Sequence, residues 1–295
     1  MGNGEQAVLQ NIRQGDRRAL ARAISYVENG MGDYGRQLAD APADTTPVIG
    51  ITGPPGAGKS TLADALIGAF TAKGKKVAIL CIDPSSTFHF GALLGDRIRM
   101  NDWFSHPLVF IRSLATRGAL GGLHPRIIEI LALVRSASFD LILIETVGVG
   151  QNEIEIAGLA DTVVVVLAPE SGDDIQSMKS GLLEIADIFV VNKSDRPDAD
   201  LFVRNLRSMQ PHEIPVFKTV ASEKQGIAEL VAGIETHGKE QPSSTRRWRL
   251  LADQAWLLIQ RKKMRSVDKK GLTKKVEDLC RAGTFNLYKF VEEWE

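Results

Sequence analysis

A glycine-rich stretch, GITGPPGAGKST, runs from Gly50 to Thr61 between a short apolar run and a segment of helical character. Within it, Gly53, Gly58, Lys59 and Ser60 satisfy the spacing G-x-x-x-x-G-K-[ST]. In such a loop backbone N–H groups point at a phosphate chain, the ammonium reaches the terminal phosphates, and the hydroxyl can bind Mg²⁺. A turn that is merely rich in glycine is the alternative, and the Lys-Ser pair disfavours it. The loop is therefore predicted to bind a nucleoside triphosphate through Gly53, Pro54, Pro55, Gly56, Ala57, Gly58, Lys59, Ser60 and Thr61.

The stretch VVNKSD, Val190 to Asp195, follows another apolar run and indicates which base is bound. An aspartate accepts hydrogen bonds from the ring N–H and the amino group of guanine, whereas adenine would leave a buried Asp195 unpaired. Asn192 is expected to bridge to the phosphate loop, and the stem of Lys193 to lie along the base. The N-cap of a following helix is the alternative. After a phosphate loop, the motif favours guanine.

Acidic residues close two further apolar runs, Asp83 in VAILCID and Glu145 in LILIE. Carboxylates at neighbouring strand ends suit direct or water-mediated binding of Mg²⁺ and orientation of the attacking water, although each could instead be an N-cap. Gly148 is suited to pair its N–H with a γ-phosphate. Because Val149 stands where small regulatory GTPases place a water-positioning glutamine, slow intrinsic hydrolysis is predicted, with Gln151 as a candidate for that role.

The composition limits the class of protein. The chain has 295 residues, 44% hydrophobic and 24% charged, as in ordinary soluble globular proteins. A net charge of zero disfavours nonspecific binding to nucleic acid, and no apolar run approaches the roughly 18 residues that span a membrane. Cys81 and Cys280 are the only cysteines, which predicts no disulfide framework and a cytoplasmic location. None of the five histidines stands at a metal-ligand spacing, and each is expected in a loop or at the surface.

Apolar, β-branched runs alternate with helical segments along the middle of the chain. This alternation predicts an α/β fold with an open, mainly parallel sheet of about seven strands and helices on both faces. The predicted strands cover residues 48–52, 77–83, 109–112, 141–145, 162–167, 188–192 and 216–220. The predicted helices cover residues 60–73, 123–137, 173–186, 199–209 and 224–236.

Helical segments also flank this core. A helix is predicted from Gln6 to about Asn29, and apolar residues recur at helical spacing beyond Pro242. Residues 1–46 are predicted to form an N-terminal helical extension, 47–238 the nucleotide-binding domain and 239–295 a C-terminal helical segment. From the residues alone, this last segment could be a lid or an oligomerisation arm.

Together these motifs resemble the MeaB-type GTPases, also described as ArgK-type transport kinases, of the SIMIBI class of phosphate-loop GTPases. The resemblance covers roughly Arg18 to Ile234, and it rests on GPPGAGKST, DPSS…GALLGDRIRM, TRGALGGL, ETVGVGQNE, ESGDDIQSMKSGLLEIADI and NKSD. It implies a Mg²⁺-dependent GTPase that chaperones an adenosylcobalamin-dependent acyl-CoA mutase, gating cofactor loading and protecting or reactivating the enzyme. It further implies a homodimer formed by the C-terminal arm and suggests a cobalamin adenosyltransferase as a second partner.

The resemblance also implies roles for single residues. Lys59, Asp96 and Glu145 would be catalytic. Oxygen ligands of Mg²⁺ would come from Ser60, Asp83, Asp96 and Glu145. An extra switch facing the mutase would use Asp173, Asp174, Gln176 and Lys179, although these residues also suit a helix N-terminus. Ala221 and Ser222 would complete the guanine site. The stretch Thr87–Phe90 departs from the family pattern, which leaves the behaviour of the first switch open.

Two other functions compete with this interpretation. A GTPase that delivers nickel is disfavoured because no CxxC or paired histidines stand near the phosphate loop. A kinase acting on a transport-binding protein is disfavoured by the guanine motif and by the missing kinase catalytic-loop signature.

Overall fold

The computed structural model describes residues 2–31, 46–83, 100–116, 123–147, 155–169, 181–209, 214–239, 245–264, 267–292 and 294. The chain divides into two compact units, Met1–Ser243 and Ser244–Glu295. Within the described ranges, no helix is long and apolar enough to cross a membrane.

The first unit is an α/β structure preceded by two helices. Its elements in chain order are α1 (Gly2–Arg13), α2 (Arg17–Glu28), β1 (Val48–Thr52), α3 (Lys59–Ala72), β2 (Val77–Asp83), a 3₁₀ turn (Asn101–Trp103), β3 (Val109–Ala115), α4 (Ile127–Arg135), β4 (Leu141–Glu145), α5 (Glu155–Leu159), β5 (Thr162–Leu167), α6 (Gly181–Ile185), β6 (Ile188–Val191), α7 (Ala199–Met209), β7 (Val216–Lys218), a 3₁₀ turn (Ala221–Glu223) and α8 (Ile227–Lys239).

The seven strands form one parallel sheet in the order β3-β2-β4-β1-β5-β6-β7, which confirms the predicted fold class. Every residue of β1, β2, β4, β5 and β6 is buried, and this explains why these strands are almost wholly apolar. Strand β1 lies between β4 and β5, where the strand order reverses. The loop after β1 therefore opens at the position where such sheets bind ligands.

Helices cover both faces of the sheet, as predicted. On one face, α3 and α8 share a hydrophobic core with β1 that includes Ile51, Leu66 and Leu230. On the opposite face, α5 packs against β1 at Gly50. A Cβ at Gly50 would lie 2.6 Å from Ile156 Cγ1, so this glycine allows the helix to approach the strand closely.

The N-terminal region corrects one prediction, because the single helix expected from Gln6 to Asn29 is two helices. The chain breaks at Gly15, which has φ +89°, and Asp16 caps α2 by accepting from the backbone N–H groups of Arg18 and Ala19. The pKa of Asp16 is lowered below its ordinary value, chiefly because its carboxylate accepts the hydrogen bond from the Ala19 N–H. The break was not predicted because the apolar periodicity continues through both helices. The signal for it was the Gly15-Asp16 pair, since glycine ends helices and aspartate caps the start of the next one.

Polar contacts hold α2 against the sheet edge. The Arg17 guanidinium donates to the carbonyl oxygens of His106 at 3.1 Å and of Val109 at 2.9 Å. Arg112 of β3 pairs with Glu28 near the end of α2. The N-terminal helices therefore belong to the first compact unit.

The second unit consists of α9 (Thr245–Lys263), α10 (Lys269–Arg281) and α11 (Leu287–Glu292), the last of which was not predicted. Inside this unit, the Lys275 ammonium lies 4.8 Å from the ring centroid of Trp294. Large apolar side chains are exposed here, including Trp248 and Trp256 at 62% each.

Candidate functional site

The phosphate loop connects the end of β1 to the start of α3, and two of its glycines are required by its shape. Gly53 has φ +139° and Gly58 has φ +91°. A side chain at Gly53 would overlap the Val166 carbonyl, and one at Gly58 would overlap the Asn192 amide. Strand β5 and the Asn192 loop thus press directly on the phosphate loop, and only glycine fits at these two positions.

The Lys59 side chain folds back over the loop. It is 7% exposed, and its Nζ donates to the carbonyl oxygens of Gly53 at 2.8 Å and of Pro54 at 3.0 Å. The carbonyl groups of the phosphate loop therefore hold the Lys59 ammonium against the loop, at the N-terminal end of α3. A positive charge beside a helix N-terminus is an arrangement suited to phosphate oxygens.

Ser60 and Glu145 meet although they are far apart in the chain. Ser60 Oγ donates to Glu145 Oε1 at 2.6 Å, and Glu145 is 3% exposed. Asp83, also 3% exposed, ends the adjacent strand β2, two residues beyond the partner of Glu145 in the β2–β4 register. The predicted neighbouring acidic strand ends are thus present. These donors are hard oxygens of the kind that Mg²⁺ prefers, so the residues fit that ion.

The described residues hold no group of three or more His, Cys, Asp or Glu side chains placed to bind a metal ion. A magnesium ion here would therefore depend on the Ser60 hydroxyl and on phosphate oxygens in addition to carboxylates. The bond from Ser60 to Glu145 uses the hydroxyl hydrogen and leaves the oxygen lone pairs for such an ion.

Asn192 forms the bridge that the sequence predicted. Its Nδ2 donates to the Ala57 carbonyl at 3.0 Å, and its Oδ1 accepts from Thr219 Oγ1 at 3.1 Å and from the Ala221 N–H at 3.0 Å. One buried amide thus joins the phosphate loop to the loop after β7. Thr219, which is 1% exposed, was not predicted from the sequence, where its place near the end of the predicted strand 216–220 was the available signal.

The two loops predicted to hold guanine lie side by side. Lys193 has φ +54°, and the next backbone N–H, of Ser194, donates to the Thr219 carbonyl at 3.0 Å. Asp195 follows and is exposed. Ala221 and Ser222 form the 3₁₀ turn on the neighbouring loop. The geometry brings these residues together at the carboxyl end of β6, and their role in base binding stays a prediction.

Part of the predicted site lies outside the described residues. This applies to Asp96, Gly148, the switch residues Asp173, Asp174, Gln176 and Lys179, and the stretch Thr87–Phe90. His124 lies in the loop before α4, as predicted, but it is buried at 2% exposure, and its Nδ1 accepts from the Arg126 N–H.

Comparisons with known proteins give similarities of sequence and of fold. The profile of the family described as Methylmalonyl Co-A mutase-associated GTPase MeaB matches residues 20–275. A putative GTPase of Pyrococcus abyssi is 46% identical over 243 residues, covering 78% of this chain and 75% of that protein. The fused isobutyryl-CoA mutase of Cupriavidus metallidurans is 38% identical over 244 residues, covering 77% of this chain and 22% of that protein. The crystal structure of a LAO/AO transport system kinase covers 99% of this chain and 97% of its own, with a TM-score of 0.67 and 24% identity, a likeness of fold alone.

Proposed function

The chain belongs to the MeaB family of GTPases, with GTP as substrate and GDP and phosphate as products, and we propose that its hydrolysis requires Mg²⁺ and serves an acyl-CoA mutase. In this proposal the chain is a chaperone that gates the loading of adenosylcobalamin onto the mutase and protects or reactivates that enzyme. The fused relative, in which a similar segment is part of an isobutyryl-CoA mutase, is the observation that supports a mutase partner.

The proposed mechanism starts from the phosphate loop. Lys59, which now donates to the loop carbonyls of Gly53 and Pro54, would donate instead to the β- and γ-phosphates of GTP. Its charge offsets the negative charge on the phosphoryl group during transfer. The backbone N–H groups between Gly53 and Thr61 would hold the phosphates in line for attack by water.

Ser60, Asp83 and Glu145 are the described residues that would hold Mg²⁺, with Asp96 as a further proposed ligand outside the described ranges. When bound, the ion would supply positive charge that offsets the negative charge of the phosphate oxygens. Glu145, held by the 2.6 Å bond to Ser60, would orient the attacking water through its carboxylate. No glutamine follows Gly148 directly, which supports a slow rate for the isolated protein.

A partner would then complete the site. We propose the mutase in this role and the segment Asp173–Lys179 as its contact, with a cobalamin adenosyltransferase as a further partner. We place this activity in the cytoplasm, a reducing compartment that suits the thiols of Cys81 and Cys280, which form no disulfide bond.

The test is a steady-state phosphate-release assay with and without a purified cobalamin-dependent acyl-CoA mutase, beginning with isobutyryl-CoA and methylmalonyl-CoA mutases. The cognate mutase is expected to accelerate hydrolysis by one to two orders of magnitude, at about 1.4 kcal/mol of barrier per factor of ten. Lys179→Ala should remove most of this acceleration and keep the slow basal rate.

Lys239→Ala is the matched control, because Lys239 is an exposed lysine at the end of α8, away from the phosphate loop. It should leave both the basal and the stimulated rates unchanged. Stimulation that persists in Lys179→Ala would remove that segment as the coupling element. The absence of stimulation by any such mutase would contradict the chaperone proposal.

A further inference from the structure

Two buried threonines join the strands on either side of the site. Thr52 is the last residue of β1, and Thr146 directly follows the last residue of β4. Thr146 Oγ1 donates to Thr52 Oγ1 at 2.9 Å, and the Thr146 N–H donates to the Ile51 carbonyl at 3.0 Å. Thr52 is 0% exposed and Thr146 is 3% exposed. The hydroxyl bond therefore extends the β1–β4 pairing by one residue beyond the sheet.

The chain neighbours of both threonines belong to the proposed catalytic site. Thr52 precedes Gly53, whose carbonyl accepts from the Lys59 ammonium. Thr146 follows Glu145, which accepts from Ser60. Because side chains alternate along a strand, Glu145 faces α3 while Thr146 lies on the opposite face of the sheet. The hydroxyl bond therefore supports the site from the sheet face opposite Glu145 and α3, and it does not itself face the phosphate loop.

Packing alone does not account for this pair. Two valines would fill nearly the same volume at the same β-compatible positions, without the desolvation of two hydroxyl groups. A hydroxyl pair adds a bond of defined length and direction. Such a bond has a use at this point, since the adjoining loop contains Gly53, Gly56 and Gly58 at positive φ and has unusual backbone freedom.

We propose that the Thr52–Thr146 bond sets the distance between the phosphate loop and Glu145, and that both threonines are positioning residues for GTP hydrolysis. The proposal rests on the proposed roles of Ser60 and Glu145. Loss of the bond would let the loop and the β4 end shift relative to each other. Displacements of about 1 Å at a reacting centre can cost up to about 10²-fold in rate.

The experiment measures kcat and the Mg²⁺ concentration for half-maximal activity in Thr52→Val, Thr146→Val, the double variant and Thr146→Ser. Each valine variant should lower kcat about tenfold, or ~1.4 kcal/mol of barrier, and should require more Mg²⁺. Affinity for GDP without added Mg²⁺ should stay within about twofold of the parent, because the guanine loops are unchanged. Thr146→Ser keeps the hydroxyl group and should therefore keep the kcat of the parent protein, in contrast to Thr146→Val.

The double variant adds a second criterion. Each single substitution already breaks the bond, so the double variant should be no slower than the slower single variant. It also removes both hydroxyls and leaves neither without its partner. If a single valine variant fails to fold, the double variant and Thr146→Ser still decide the question.

Thr162→Val is the matched control. Thr162 is 2% exposed, begins β5 at the other end of the sheet, and hydrogen-bonds through Oγ1 to His237 Nδ1 at 2.9 Å. It should lower the melting temperature, as is also expected of Thr52→Val and Thr146→Val, without changing kcat or the Mg²⁺ requirement. An equal loss of kcat in Thr162→Val would show that general loosening is responsible, and would overturn the proposal.

The proposal is also overturned if Thr146→Val keeps the parent kcat and Mg²⁺ requirement. Failure of the broader function is distinguishable from these outcomes. Hydrolysis that needs no Mg²⁺ would remove the magnesium assignment, while the kcat comparison of Thr146→Val with Thr146→Ser would still judge the positioning role. The assay contains no mutase, so it is independent of the partner.

Discussion

At the scale of single residues, the proposed base selectivity depends on one exposed carboxylate. The loop that carries Asp195 is held in place by the bond from Asn192 to the Ala57 carbonyl and by the bond from the Ser194 N–H to the Thr219 carbonyl. These contacts use an amide side chain and the backbone, and the Asp195 carboxylate takes no part in them. A substitution at Asp195 is therefore expected to change recognition and to leave the loop in place.

We predict that Asp195→Asn lowers the affinity for GTP by at least about 2 kcal/mol, because one acceptor becomes an amide donor facing two guanine donors. Xanthosine triphosphate should bind the variant better than GTP does, since xanthine has a carbonyl in place of the amino group. Competition binding with GTP, ATP and xanthosine triphosphate measures this exchange of preference.

Asp198→Asn is the control for that exchange, because Asp198 is exposed on the same loop and its φ of +69° suits asparagine. It should keep the parent preference. Equal affinity of the parent protein for GTP and ATP would contradict the assignment of guanine to this loop.

At the scale of elements, the phosphate loop is shaped by what packs on it. Gly58 is the N-cap of α3 and has a left-handed conformation, and the Asn192 amide lies where a side chain at Gly58 would be. The same amide donates to Ala57. The loop after β6 therefore packs directly on the junction of β1 and α3.

We expect Gly58→Ala to displace Asn192, break its bond to Ala57 and reduce GTP affinity at least about tenfold, ~1.4 kcal/mol. Gly74→Ala is the matched control. Gly74 follows the other end of α3 with φ +73°, and among the described residues no heavy atom lies within 4 Å of the position that its Cβ would take. It should lose about 1 kcal/mol of stability through backbone strain and keep nucleotide affinity.

Isothermal titration with GTP and thermal unfolding of both variants separate the two effects. An equal loss of affinity in the two variants would show that strain in α3, and not contact with Asn192, controls the loop.

At the scale of the whole molecule, the second compact unit carries apolar side chains that its own helices leave exposed. In α9, Leu251 and Leu258 are 50% and 36% exposed, and both lie on the face that also contains Trp248 and Ala255. Burial of such a face in a second copy of the chain would remove apolar surface from water. This exposure supports the proposal that residues 239–295 form a dimerisation arm.

We predict that the full chain is a dimer and that Leu251→Asp combined with Leu258→Asp makes it a monomer, because burying two carboxylates at an apolar interface is costly. Sedimentation velocity measures the change, and the basal rate of GTP hydrolysis should remain. Gln260→Asp, an exposed position on another face of α9, should stay dimeric. A parent protein that sediments as a monomer would contradict the arm proposal.

The sequence by itself determined the features that depend on consecutive residues. The motifs G-x-x-x-x-G-K-S and NKSD could be recognised from the sequence because a loop that surrounds phosphate or guanine uses neighbouring backbone groups and side chains. The strands could be predicted because burial on both faces of the sheet requires apolar residues throughout each strand. The break at Gly15 was missed, since the apolar period continues through both helices and reports which face is buried, not where a helix ends.

Only the tertiary structure decided which distant residues meet. Ser60 and Glu145 are 85 residues apart, Thr52 and Thr146 are 94 apart, and Ala57 and Asn192 are 135 apart. The first two pairs depend on β4 lying beside β1, and the third depends on β5 lying beside β1 and on β6 lying beside β5. That order results from the packing of the whole sheet with its helices, whereas local sequence reports only the burial of each strand. The bonds that support the proposed site are therefore a property of the fold, and the residues that form them a property of the sequence.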